Sequence, residues 1–534
     1  MINSSLPAPT ISRRGLLGLS AAAGLGLTTV GGSAFADTRP TVAPAVPDDV
    51  YGVGIASGDP HPDGMVLWTR LAPEPTATDG LAGMPDVDVD VEWEVATDPG
   101  MTTVVQRGTE RATSAWNHSV HAEVAGLQPG REYWYRFRTA GQISEVGRAV
   151  TAPALGSTPA AMTFAFTSCQ NFPEGWFNAY ADMATQDLDL VLHLGDYIYE
   201  GAGTNNALGR AHTSRKETFT LADYRLRYGQ YKTDTDLQAA HAAAPWVVSP
   251  DDHEVENNWA GDISQPDTEP DQDPAVFRQR RAAAFQAYYE NLPLRRASMP
   301  KGADMQVYRR LRFGQLLQLD VLDTRRHRSD QIEGDQAVLD GRWDRRRTML
   351  GRTQEAWLMK GLDASEARWK VLGNQVFCFE ADHTDGPGER YGNDTWGGYA
   401  AARQRMFDGI LQRGVENFVM VTGDAHRSTA ADLKQDFSDP SSTTVGAEFL
   451  GTSISSGGNG TDTDALGRTW LAENPHMRFH NGQRGYQVVR ADAQQLETEY
   501  RICDSVTVKG SALRTRAKLV VESGRAGIAD VSVA

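Results

Sequence analysis

Cysteine is scarce in this sequence, with three in 534 residues, at positions 169, 378 and 503. Three thiols are too few for the disulfide framework of a small secreted domain, and their odd number leaves at least one unpaired. Cys378 lies between Phe377 and Phe379, which predicts a buried packing role. Cys169 follows an apolar run and opens a polar turn, so we expect it to take part in the chemistry of the protein.

Beyond the N-terminal segment the sequence also lacks any long hydrophobic run, so it predicts no membrane-spanning helix. Arg13 and Arg14 form a twin-arginine motif, which a short apolar stretch and the small-x-small sequence at residues 34–36 follow. We therefore predict that residues 1–36 are a twin-arginine (Tat) signal peptide. The Tat export machinery is then a partner, and the mature protein is secreted, periplasmic or at the cell surface.

Positive charge is in deficit, because 52 Lys and Arg face 69 Asp and Glu, for a net charge of -17. This balance argues against nucleic acid or an anionic membrane as a partner held by general electrostatics. An anionic substrate would need a local positive centre, most simply a metal ion. The basic clusters at residues 278–281, 309–312 and 342–352 are interpreted as helix faces that offset the acidic excess, rather than as a binding groove.

Two common catalytic motifs are missing as well. The sequence has no Gly-x-Ser-x-Gly elbow and no Walker loop, which argues against an α/β-hydrolase and a P-loop nucleotidase.

The first part of the mature chain has the pattern of a small all-β domain, predicted over residues 48–154. Short alternating runs at residues 65–69, 87–95, 119–124 and 133–139 are separated by Gly, Pro and Asp clusters. The segment Leu127–Arg136 resembles the strand corner of fibronectin type III and immunoglobulin-like sandwiches. This resemblance concerns the fold and not the function.

From Met162 the pattern changes, and strand-like apolar runs alternate with helical stretches. We predict a catalytic domain over residues 160–505 with a closing hairpin at 485–501, followed by a C-terminal tail at 506–534. Several of its strands end in polar turns, as expected for a site at the carboxyl ends of strands in a layered α/β fold.

Those turns carry the reactive residues. One Asp after a strand and a Gly is usually only a turn residue or a helix cap. The combination is more telling, since it has too many carboxylates for a structural zinc site and is too mixed for a serine hydrolase. The candidates are Cys169, Asp196, Tyr199, the run Asp251-Asp252-His253-Glu254, Asp424 and His426.

Three of these blocks, Gly195–Tyr199, Asp251–Glu254 and Gly423–His426, resemble the metal-binding blocks of calcineurin-type metallophosphoesterases in the variant form of the PhoD-type alkaline phosphatases. Residues 52–60, 67–70 and 322–325 match further blocks of that family, and the resemblance spans about residues 50–501. It implies an α/β fold, a layered metallophosphoesterase β-sandwich flanked by helices. A small all-β immunoglobulin- or fibronectin-like domain precedes it.

The resemblance also implies two metal ions. The first is Fe3+, held by Cys169, Asp196, Tyr199 and His426, because phenolate and thiolate are strong donors to a trivalent ion. Asp196 would bridge to a second ion, Ca2+, completed by Asp252, Asp424 and either Gln375 or Asn374, of which Gln375 is the predicted ligand. Many metallophosphoesterases have Asn and His at the positions of Asp252 and Asp424, and carboxylates there suit a hard divalent cation.

The implied reaction is the attack of a metal-bound hydroxide on phosphorus, in line with the leaving group. His253 is the predicted catalytic acid, oriented by Asp251 or Glu254. Arg325 is the predicted substrate-binding residue, as a bidentate phosphate donor. The alternative for Arg325 is an ion pair with Asp320 or Asp323.

Three functions remain open at this stage. The first is a secreted alkaline phosphatase that hydrolyses small phosphate monoesters and diesters. The second is a phospholipase D-like phosphodiesterase that acts on phospholipid head groups. The third is a secreted metal-binding or adhesion protein in which the β-domain carries the activity and His253 is dispensable.

Overall fold

The structure is a computed structural model that describes residues 46–534. The predicted signal peptide, residues 1–36, and most of the linker after it lie outside the described residues. Residues 46–534 form one compact unit.

Residues 46–534 contain 22 β-strands. They are β1 Ile55–His61, β2 Gly64–Arg70, β3 Val89–Ala96, β4 Val104–Ala112, β5 Ser119–Ala125, β6 Glu132–Thr139, β7 Gln142–Ile143, β8 Gly147–Val150, β9 Ala161–Thr167, β10 Leu190–His193, β11 Pro245–Val248, β12 Arg309–Phe313, β13 Leu317–Val321, β14 Trp369–Gly373, β15 Phe418–Thr422, β16 Ser428–Lys434, β17 Thr444–Leu450, β18 Met477–Asn481, β19 Gly485–Asp492, β20 Gln495–Cys503, β21 Leu513–Glu522 and β22 Asp530–Val533.

The helices pack on the outer faces of the sheets. They are α1 Asn178–Met183, α2 Leu221–Tyr231, α3 Thr235–Ala243, α4 Pro274–Asn291, α5 Asp335–Gly341, α6 Gly351–Asp363, α7 Ala400–Gln412 and α8 Ala465–Glu473. Local sequence explains two of their starts. Thr220 and Asp223 form a capping box before α2, and Asp273 caps α4, which opens on a proline.

Two large sheets form the centre of the protein. One has the order β22-β21-β20-β19-β9-β10-β11-β1-β2-β5, and the other has the order β12-β13-β14-β15-β17-β16-β18. Their facing sides share one apolar core, to which Phe164 and Leu192 contribute from the first sheet and Leu319 and Val421 from the second. Helices cover the opposite sides. This four-layer α/β arrangement confirms the predicted fold class.

The N-terminal region builds a two-layer β structure that is continuous with the first large sheet. The strands β3, β4, β6, β7 and β8 form a smaller sheet, and β1, β2 and β5 face it across an apolar core that includes Leu67 and Val91. However, β1 also pairs in parallel with β11, between Ser57 and Pro245. The predicted all-β region therefore shares its second layer with the catalytic sheet.

The C-terminal segment differs from the expected tail. The predicted hairpin is present as β19 and β20, but β21 and β22 then extend the sheet. Alternate side chains of β21, those of Ala517, Leu519 and Val521, enter the core between the large sheets. This alternation is the feature of the sequence that could have predicted the strand. No helix within residues 46–534 is long and apolar enough to cross a membrane.

Gly58 marks the closest approach at the junction of β1 and β11. A Cβ atom on Gly58 would lie 2.4 Å from the main-chain oxygen of Pro293 and 2.6 Å from that of Trp246. We expect Gly58→Ala to reduce the free energy of unfolding by about 1–3 kcal/mol, because backbone atoms cannot move aside as a flexible side chain can. The midpoint of thermal unfolding measures the effect. Gly156→Ala is the control, since no atom lies within 4 Å of its added Cβ. Equal midpoints for the two variants would contradict this account of the junction.

Candidate metal centre

The predicted ligands meet where the parallel strands of the two large sheets end. Residue 169 follows β9, residue 196 follows β10 and residues 251–254 follow β11, while residues 424 and 426 follow β15 of the other sheet. Their ligand atoms form three overlapping groups, each with all its atoms within 4.8 Å of one another. The groups are Cys169, Asp196 and His426; Asp196, Asp252 and His253; and Asp251, Asp252 and Asp424.

The first group contains the donors predicted for iron, with Tyr199 beside them. The Tyr199 hydroxyl donates to Asp196 Oδ2 at 2.9 Å and lies 3.1 Å from His426 Nε2. The Ser456 hydroxyl, which sequence reasoning did not identify, donates to Tyr199 Oη at 2.8 Å. A thiol, a phenol, a carboxyl and an imidazole are thus assembled around one point.

The third group, Asp251, Asp252 and Asp424, is composed of carboxylates alone. Buried oxygens of Asp196, Asp251 and Asp252 have no hydrogen-bond partner among residues 46–534. Buried anionic oxygens without partners are costly unless a cation compensates them. Asp196 belongs to two of the groups, as expected for a ligand shared by two ions.

The two amide side chains after β14 differ in whether the side-chain oxygen is free to bind a metal, and the difference does not favour the predicted ligand, Gln375. Gln375 Oε1 accepts from Thr324 Oγ1 at 2.6 Å, and its Nε2 donates to Ser249 Oγ and to the Leu322 carbonyl. Asn374 donates to the Val376 carbonyl, but its buried Oδ1 has no hydrogen-bond partner within the described part of the chain. The free oxygen therefore favours Asn374, the alternative from the sequence.

The backbone at the site adopts a conformation that is uncommon for residues other than glycine. The φ angles are 61° at Cys169, 56° at Asp196, 72° at Asp424 and 55° at His426. Left-handed backbone at non-glycine residues costs free energy and clusters at functional sites. Here it turns each side chain from its strand end toward the shared centre.

Glu254 holds two of the ligand loops in place. Its carboxylate accepts from the main-chain N–H groups of Asp196 at 3.1 Å, Tyr197 at 2.6 Å and Asp251 at 2.8 Å. Burial raises the pKa of Glu254 to about 8, while these three donors act in the opposite direction. Glu254 thus supports the backbone and does not orient His253, contrary to one of the two predicted roles.

His253 is oriented by a residue that sequence reasoning missed. Its Nδ1 donates to Glu200 Oε2 at 2.7 Å, and Glu200 Oε1 accepts from the main-chain N–H of Asn257. The imidazole also packs on the Tyr199 ring, with 4.2 Å between centroids. The other ring nitrogen, Nε2, is therefore the one available for chemistry at the metal centre. Glu200 directly follows the Gly195–Tyr199 block that supplies Asp196, and that position was the available signal.

Arg325 is buried at this site and is held by carboxylates. Its guanidinium donates to Asp251 Oδ1 at 2.6 Å and to both oxygens of Asp394 at 2.8 Å. These partners replace the Asp320 and Asp323 of the predicted alternative, and Asp251 therefore pairs with Arg325 rather than orienting His253. Burial opposes the ionisation of Asp252, but Arg325 and His253 outweigh it and lower its pKa. The substrate-binding role of Arg325 stays a prediction.

Burial disfavours the charged form of each of these donors. Burial, reinforced by Asp196, raises the pKa of the Cys169 thiol and of the Tyr199 phenol well above their usual values. Burial, Asp251 and Asp252 also raise the pKa of Asp424. Burial and Arg484 lower the pKa of His426 to about 3, so its imidazole is neutral and can donate a lone pair. Anionic donors that oppose one another's ionisation ionise together only beside a positive charge, and the residues present fit such a group.

Comparison with known proteins agrees with this geometry. A family model described as PhoD-like phosphatase matches residues 164–500, and one described as PhoD-like phosphatase, N-terminal domain, matches residues 37–153. Alkaline phosphatase D of Bacillus subtilis (strain 168) is 44% identical over 527 residues, which cover 97% of this chain and 89% of that protein. A solved structure described as "Structure of PhoD" has a TM-score of 0.87 and 45% identity, and the match covers 92% of this chain and 94% of that one.

We expect Glu254→Gln to destabilise the protein and to reduce its bound metal. Glutamine offers one oxygen and a donating amide where three N–H groups need an acceptor, so about 1–3 kcal/mol of stability is lost. Thermal unfolding and elemental analysis of the purified variant measure the two effects. Glu366→Gln is the control, because it makes the same substitution on the exposed turn before β14. Full metal content in Glu254→Gln would contradict the supporting role.

Proposed function

Since the chain belongs to the PhoD-like phosphatase family and is a metal-dependent phosphoric ester hydrolase, we propose that it is a secreted alkaline phosphatase. It hydrolyses small phosphate monoesters and diesters with Fe3+ and Ca2+ as cofactors. The observation that carries the proposal is the convergence of a thiol, imidazoles and several carboxylates in the three overlapping groups, with the Tyr199 phenol bonded to the first of them.

The donor chemistry supports two different ions. Cys169 and Tyr199 would hold ferric iron together with Asp196 and His426, because thiolate and phenolate stabilise a trivalent metal. On the other side, Asp252 and Asp424 would hold calcium, with Asn374 Oδ1 as the neutral oxygen. Hard oxygen donors without an imidazole suit calcium better than zinc.

Once bound, the two cations supply the Lewis acidity that neutralises phosphoryl oxygens and activates a water molecule. The remaining steps belong to the chain's own side chains. His253 keeps Nδ1–H on Glu200, so its Nε2 can hold the proton that the leaving alkoxide takes up. Arg325, fixed by Asp251 and Asp394, holds positive charge beside Asp252.

Export is the part of the proposal that depends on sequence alone. The twin-arginine motif at Arg13 and Arg14 supports the Tat pathway, which exports proteins already folded. An enzyme that acquires its ions before export fits that route.

The substrate class is tested by turnover of p-nitrophenyl phosphate, bis(p-nitrophenyl) phosphate and phosphatidylcholine by the same preparation. We expect the two nitrophenyl esters to be hydrolysed, with kcat about 10²–10⁴-fold lower in His253→Ala because the acid is lost. Hydrolysis of the lipid without hydrolysis of the monoester would instead identify the phospholipase D-like alternative. An unchanged kcat in His253→Ala would contradict the role of His253 as the catalytic acid.

Glu200 gives a finer prediction, because its contribution passes through His253. Glu200→Gln keeps a side chain of the same shape but removes the charge that fixes the imidazole. We expect kcat to fall about 10–100-fold with little change in KM. In the double variant Glu200→Gln/His253→Ala the loss should match that of His253→Ala alone. Additive losses, or a loss of metal in Glu200→Gln, would show that Glu200 does not act by positioning His253.

A further inference from the structure

A basic groove lies between α6, α7 and the segment that precedes α6. It has a volume of about 700 Å³. Six of its lining side chains are basic and two, Glu355 and Asp363, are acidic. The basic ones are Arg345, Arg346, Arg352, Lys360, Arg405 and Arg413. In a chain of net charge -17 this is a local reversal of sign.

Three of these six basic side chains have no partner within the described residues. The side chains of Arg345, Arg352 and Lys360 are exposed, and none makes a hydrogen bond or ion pair with another residue in the range 46–534. By contrast, Arg405 pairs with Glu355 at 3.2 Å. Within residues 46–534 the three side chains thus line the concavity without an ion pair to Glu355 or Asp363, the two acidic residues of its lining.

One end of the groove lies nearer to the candidate metal centre than the other. Gln354, in the first turn of α6, exchanges two hydrogen bonds of 2.8 Å with the main chain of Asp323, two residues before Arg325. Thr348 in the segment before α6 is likewise bonded to Ser329 in that loop. Because α6 leads into β14, whose carboxyl end lies at the metal centre, the first turn of α6 is the end of the helix nearer that centre. Arg345 and Arg352 therefore lie at the end of the groove nearer the metal centre, and Lys360 lies at the far end.

We propose that this basic groove is a docking site for a linear polyanion of linked phosphate groups, separate from the metal centre. Cations spread along two helices match repeated charges on a chain better than they match one phosphate. A flat anionic membrane cannot enter a concave surface. The lining also lacks exposed large apolar side chains for a membrane interface, since Met359 is buried on its floor. This binding does not depend on the reaction at the metal centre.

The test uses medium-chain inorganic polyphosphate as the probe and the full-length metal-loaded protein. Binding is measured over a series of salt concentrations, with saturating orthophosphate present to occupy the metal centre. The groove variant is Arg345→Gln/Arg352→Gln/Lys360→Gln. The matched control is Arg111→Gln/Arg514→Gln/Arg525→Gln, which removes the same charge from exposed positions elsewhere. Turnover of a small monoester is followed in all three proteins.

We expect the wild type and the control to bind polyphosphate with an affinity that falls steeply with salt. The groove variant should bind about tenfold or more weakly and with a shallower salt dependence, since fewer counterions are released. Monoester turnover should be equal in all three proteins. Absence of turnover in all three would count against the proposed function and not against the groove. Equal binding by groove variant and control, or displacement of all polyphosphate by orthophosphate, would overturn the proposal. So would binding to phosphatidylglycerol vesicles without binding to polyphosphate.

Discussion

Several carboxylates lie within a few ångströms of one another at the ends of the two central sheets, and their mutual repulsion constrains the rest of the site. They also oppose the ionisation of the thiol and the phenol beside them. The chain opposes that repulsion with only a few groups of its own. Arg325, fixed between Asp251 and Asp394, brings positive charge to the site. Glu254 fixes the ligand loops through their N–H groups, but it is itself a carboxyl group beside Asp196. One oxygen each of Asp196, Asp251 and Asp252 has no hydrogen-bond partner in the part of the chain that the structure describes. Bound cations are the simplest compensation, and the donors on the two sides suit different ions.

The same constraint explains how the fold is arranged. Donors that repel one another must be carried on rigid elements, and parallel strands buried on both faces provide them. The left-handed backbone at Cys169, Asp196, Asp424 and His426 is tolerated because strands anchor each turn. The N-terminal region takes part in this frame, since β1 extends the sheet beside β11, which carries the Asp251–Glu254 run.

The sequence was informative where a pattern repeats and weak where contacts are distant. Apolar runs ending in the polar turns of Cys169, Asp196, Asp251 and Asp424 predicted strands there, and these are β9, β10, β11 and β15. Nothing local distinguishes Gln375 from Asn374, because the difference lies in Thr324 and Ser249, which are far away in sequence. Asp394 was missed for the same reason, since its partner Arg325 is in another loop. The basic run at 342–352 was visible, but only packing of α6 against α7 makes it a groove.

The central claim, that one ion is iron held by a thiolate and a phenolate, is tested most directly by the visible absorption spectrum of the purified exported protein. A tyrosinate-to-iron charge-transfer band should be present in the wild type and absent from Tyr199→Phe, with iron and calcium both found by elemental analysis. A colourless wild-type protein that hydrolyses phosphate esters without iron would contradict the account.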